Sequence, residues 1–184
     1  MTRLLIGVGA IALAALFVYS GIFDVAADAP HSALVYAVIE AIRDRSIAVR
    51  AKNIRVPSLN NPEQIADGAK HYDAMCADCH LAPGGQQPEM RAGLYPQPPR
   101  LTERIDLGVA ETFWVVKHGI KMSAMPAWGT THDDQSLWAI VAFLQKLPEL
   151  TPDEYRTLVQ PNAESPHHDH AHSHHHHGAG EHRE

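Results

Sequence analysis

The chain has 184 residues, with 21 acidic against 15 Lys and Arg side chains and a formal charge of −6 when histidine is neutral. That is room for one modest domain with appendages, and the acidic balance excludes general nucleic-acid binding, which needs a basic field against the phosphates. The two cysteines, Cys76 and Cys79, are too close in sequence for a bridge between them to constrain the chain, so they are expected as ligands or attachment points.

Leu4 to Phe23 is an uncharged run of 20 residues between Arg3 and Asp24. As a helix it spans about 30 Å, the thickness of a bilayer core. A cleaved signal peptide competes with a retained anchor, and Val25-Ala26-Ala27 and Ala27-Asp28-Ala29 are candidate cleavage triplets. The apolar stretch of a signal peptide is usually about 7–15 residues, which favours the anchor. Arg3 supports an internal N-terminus, whereas most of Arg43, Arg45, Arg50, Lys52 and Arg55 lie beyond the ~15–20 residues over which positive charge sets topology.

From His31 to Lys52 the apolar residues Leu34, Val38 and Ile42 recur every four positions, with Val35 and Ile39 alongside, which predicts an amphipathic helix. Pro57 and Asn60-Asn61-Pro62 break the chain and mark a domain boundary. A helix is predicted to start at Pro62, capped by Asn61 and favoured by Glu63 in its first turn, and to run to about Met75. Leu81 to Arg100 is rich in Pro and Gly and reads as loop. A short helix is expected over Val109 to His118, closed by Gly119. Thr131 is a plausible cap for a final helix through Lys146, stopped by Pro148. The expected fold class is all-α, with loops long enough to imply that something other than side chains fills the core.

Cys76-Ala77-Asp78-Cys79-His80 suits one chemistry closely. Two thiols at i and i+3 can add across the two vinyl groups of haem, and the adjacent imidazole is placed to bind iron from one side. Zinc would need four protein ligands, and no second Cys-x-x-Cys pair is present. A redox dithiol would expect a strand before the motif, where a helix is read. On the far side of the iron, Met125 in Met122-Ser123-Ala124-Met125-Pro126-Ala127-Trp128 is the leading candidate. It sits between two predicted helices on a loop stiffened by proline, and a Met/His pair raises the potential. Met125 could instead pack in the core, the usual fate of methionine. Met122, His118 and His132 are its rivals as ligand.

Gly68-x3-Tyr72-x3-Cys76-x2-Cys79-His80, then Pro98-Pro99-Arg100-Leu101, then Met125-Pro126-Ala127-Trp128, together resemble the class I cytochrome c family. The resemblance covers about Pro62 to Leu147 and is closest to the bacterial membrane-anchored monohaem branch. It implies a cytochrome c fold around one covalent haem c, with an N-terminal transmembrane helix. It implies Cys76 and Cys79 as attachment points, and His80 and Met125 as proximal and distal iron ligands. It also implies a hydrogen bond from the His80 ring to the Pro99 carbonyl, with Pro98 as the alternative partner. Arg100 and Trp128 are further candidates for the haem surroundings, near its propionates. Gly68 and Tyr72 share a helix face one turn apart, and in the family the first and last helices cross at this glycine. The last helix offers Leu137, Trp138, Val141 and Leu144 as its apolar stripe, with Trp138 expected as core.

The resulting organisation is an anchor or uncleaved signal over 1–24, an amphipathic helical linker over 25–57, a cytochrome c domain over 58–160 and a tail over 161–184. Nine of the 14 histidines lie after Pro166, interrupted by Asp169, Ala171 and Ser173, and a tail so poor in apolar residues is expected to be disordered. Imidazoles at that density can bind Zn, Cu or Ni. The expected function is one-electron transfer, not enzymatic turnover, between redox donor and acceptor proteins. The haem domain would lie in the periplasm at the bacterial inner membrane, or would be soluble there after cleavage. The alternatives are a haem enzyme or gas-binding protein with a labile distal ligand, and metal capture by the tail.

Overall fold

The computed structural model describes residues 2–160; the histidine-rich segment expected to be disordered and metal-binding lies outside them. Among the described residues every regular element is helical, in agreement with the all-α expectation. Helix α1 (Thr2–Ser20) buries none of its residues, and its apolar side chains, Leu4, Ile11 and Leu16 among them, stand open all along its length. It is the one described helix long and apolar enough to cross a membrane. The helix stops at Gly21, whose φ of +64° ends it three residues before the end of the apolar run.

Helix α2 (Ala33–Ala51) is capped by Ser32, whose hydroxyl accepts a hydrogen bond from the Val35 amide. The early stripe formed by Leu34, Val38 and Ile42 is exposed. Ile47 and Ala51 make the buried contact instead, in the last turns of the helix, where it packs against α6.

Helix α3 (Pro62–Met75) begins as its sequence predicts. Asn61 Oδ1 accepts from the Glu63 amide at 2.9 Å, and Pro62 occupies the first helical position, a cap typically worth about 1 kcal/mol. The chain then passes through Cys76 into the single turn α4 (Ala77–His80). A second single turn, α5 (Glu89–Ala92), interrupts the segment read as continuous loop. Helix α6 (Val109–His118) ends at Gly119, with φ +65°.

Helix α7 (Asp134–Leu144) starts later than expected. Its cap is Asp133, whose carboxylate accepts from the Ser136 amide at 2.8 Å, and not Thr131. Thr131 is used up by the preceding turn, where its amide and hydroxyl both donate to the Trp128 carbonyl. Pro148 sits in a short 3-10 turn, and a further helix, α8 (Pro152–Val159), follows where no helix was predicted. Thr151 and Glu154 cap it reciprocally.

The core forms where α3 crosses α7. Leu137, Ile140, Val141 and Phe143 are fully shielded from solvent, and burial of each such side chain stabilises the fold by about 1.5–3 kcal/mol. Trp138 lies at the edge of this core, half-buried, with its ring stacked on Phe113 at 3.9 Å. Helix α8 closes the other side of α3: Tyr155 is buried and its hydroxyl donates to Asp73 at 2.7 Å.

Candidate functional site

Cys76, Cys79 and His80 are brought together by a change of direction at the end of α3. The amides of Cys79 and His80 both donate to the Cys76 carbonyl, so the backbone turns tightly and presents the two thiols and the imidazole from one turn. Leu81 then adopts φ +70° and ψ 151°, which L residues rarely occupy and which costs on the order of 1–3 kcal/mol. Two bonds hold it there. Its amide donates to the Ala77 carbonyl at 2.8 Å, and its carbonyl accepts from the buried Tyr72 hydroxyl at 2.6 Å. Tyr72 thus links the helix crossing to the turn that carries the cysteines.

His80 Nδ1 lies 2.9 Å from the Pro99 carbonyl. A carbonyl only accepts, so Nδ1 carries the proton and Nε2 is left with a free lone pair. Burial pushes the His80 imidazole below its usual range, the Arg91 charge adds to this, and the Pro99 hydrogen bond opposes it. The Cys76 thiol is pushed up to about 12 by burial and secondarily by Cys79, so it stays protonated in the folded, unloaded chain.

The second half of the site comes from the segment between α6 and α7. Gly119 lets this segment lie against the end of α6, because a Cβ there would stand 2.7 Å from the Met125 carbonyl oxygen. The Ile120 amide donates to that same carbonyl at 3.1 Å, and the Met125 amide donates to the Ser123 hydroxyl at 3.2 Å. Met125 is half-buried and packs against the core. The rival positions differ: Met122 is 98 % exposed, and His118 is exposed with its ring near Trp114. His132 is half-buried but its Nδ1 is shared with the Thr131 hydroxyl at 2.9 Å.

A family model described as cytochrome c oxidase, cbb3-type, subunit III matches residues 63–144. Those residues form a c-type cytochrome domain. None of the curated proteins matches the chain. Cys76 and Cys79 fit the haem-binding motif of the domain, which carries one covalent haem c and serves electron transfer. The side chains of the cytochrome domain suit that group: two thiols on one turn, and an imidazole whose proton is already committed to a carbonyl.

The remaining candidates separate in space. Trp128 is half-buried in the 3-10 turn after Met125 and meets His132 edge-on. Arg100 is exposed and pairs with Glu103 at 3.3 Å. The buried cation of this region is Arg91 on α5, which the sequence reading did not single out. It is 2 % exposed, its Nη2 donates to the Pro98 carbonyl at 2.8 Å, and its Nε and Nη1 have no partner among the described residues. Nothing in the local sequence distinguishes it from a solvated arginine.

Proposed function

We propose that the chain is a one-electron carrier in which Cys76 and Cys79 hold the haem and His80 and Met125 are its axial ligands. The observation that carries this reading is the His80–Pro99 hydrogen bond, which leaves Nε2 free and fixes the ring that would present it. Bound haem c supplies a one-electron Fe(III)/Fe(II) couple. The chain's own residues do the rest: Gly119 and Pro126 shape the segment holding Met125, and Tyr72 steadies the turn that carries Cys76, Cys79 and His80. With His80 and Met125 both holding the group, it would favour the reduced state and would leave no ligand position free for turnover.

In this reading α1, within residues 1–24, anchors the chain in the bacterial inner membrane, and residues 25–57 space the domain over 58–160 from the bilayer on its periplasmic face. The tether raises the domain's local concentration near membrane redox partners, and small, weak interfaces suit such exchange. A place as one subunit of a larger membrane redox complex fits the name of the matched family. Zn, Cu or Ni binding by residues 161–184 is a separate, accessory property.

Cys76→Ser and Cys79→Ser test the attachment. Each is expected to leave at most one thioether, so haem staining on denaturing gels should weaken or vanish. An acid-resistant, doubly attached haem in either variant contradicts the reading. The anchor is tested by intact mass and fractionation of the native protein. Residues before Ala29 should be retained and the protein should sediment with membranes; a soluble product beginning near residues 26–30 means that α1 is a cleaved signal.

A further inference from the structure

Resting on the haem reading above, we propose that Arg91 is the chain's binding residue for a haem propionate, and that the same guanidinium locks the loop orienting His80. A guanidinium stays charged in a protein, and an unpaired buried charge costs several kcal/mol. Arg91 is nevertheless buried, and no carboxylate among the described residues pairs with it. One of its nitrogens is used, on the Pro98 carbonyl, and Nε and Nη1 remain unfilled. Two shielded, unused donors on a permanent cation call for an anion, and carboxylate is the partner that guanidinium geometry matches best.

The position fits haem as the source of that carboxylate. Arg91 lies on α5, which packs against α4, the turn that carries Cys79 and His80. The Pro98 carbonyl it holds is one residue from the Pro99 carbonyl that faces His80 Nδ1. A propionate paired with Arg91 therefore couples two contacts on one short loop: the anionic edge of the haem and the orientation of the imidazole. Arg100, nine residues further along the chain, is exposed and already paired with Glu103, and has no comparable demand for an anion.

The test uses the full-length holoprotein as wild type, Arg91→Gln and Arg91→Lys, with the reduction potential and the propionate bending modes in resonance Raman spectra as readouts. Arg91→Gln can still donate to the Pro98 carbonyl but has lost the charge. It should shift the propionate mode and lower the potential, because a nearby cation stabilises the reduced haem. Arg91→Lys keeps the charge and should hold the potential nearer to wild type while still shifting the propionate mode. Wild-type modes and potential in both variants overturn the proposal, as does loss of stability with the modes unmoved, the signature of a loop clamp alone. If Arg91→Gln yields no holoprotein, the propionate mode of Arg91→Lys decides in the same two directions. Failure of the haem reading is distinguishable, since the wild type itself would then lack a six-coordinate low-spin spectrum.

Discussion

Met125→Ala is expected to leave the haem covalently attached while changing almost everything that its sixth ligand controls. Attachment depends on the thiols of α3's end and of α4, whereas Met125 belongs to the separate segment tied down at Gly119 and Ile120. The weak thioether-to-iron absorption of the oxidised protein should disappear. The potential should fall by on the order of 0.1 V, within the ~0.8 V range over which axial ligands set haem potentials. Carbon monoxide should then bind the reduced form. Met122→Ala is the matched control, since that side chain stands in solvent and its removal should leave spectrum and potential as they were. Survival of the band in Met125→Ala with its loss in Met122→Ala would reverse the assignment without touching the case for electron transfer.

Gly68→Ala should be the most damaging single methyl in the domain. A Cβ at that position would lie 1.9 Å from the Ala139 carbonyl oxygen and 2.4 Å from its carbon, both backbone atoms of α7. No rotamer change relieves a clash with backbone, so α3 and α7 must move apart, opening the contact that shields Tyr72, Ile140 and Phe143. The loss should be about 3 kcal/mol or more, at the upper end for overpacking and a large share of the 5–15 kcal/mol typical of a folded domain. Gly93→Ala is the comparison: its nearest neighbour would be 3.8 Å away, and its stability in denaturant should match wild type within about 0.5 kcal/mol.

The parts of the fold legible in advance are those with a local cause. Asn61 and Pro62 start α3, Gly119 ends α6, and the glycine and tyrosine one turn apart lie on the buried face of α3, because caps, breakers and periodicity act within a few residues. The start of α7 is not legible from sequence because Thr131 and Asp133 are both good caps, and only the turn at Trp128 decides between them. The signal for α8 is present in Thr151-Pro152-Asp153-Glu154, a capping box with proline at the first helical position, although the sequence reading assigns no helix there. The cysteines and His80 stand out as a motif, and Met125 by its proline. Arg91 carries no such mark. Its burial arises from packing between α5 and its neighbours, which no spacing rule reports.

The crossing of α3 by α7 also orders events in the making of the protein. The turn bearing Cys76 and Cys79 is synthesised well before Asp134–Leu144, and before the α8 helix whose Tyr155 fastens to Asp73. A chain in which α7 has not yet seated would leave the two thiols open to whatever joins them to haem. Once α7 seats against Gly68, the cysteines are half-covered and the segment carrying Met125 has folded over on its own hydrogen bonds. Such partial covering favours an order in which the covalent step precedes helix closure. Variants that speed closure without haem should accumulate a shut, colourless domain that ligates slowly, so maturation sets a limit on how stable the empty fold can become.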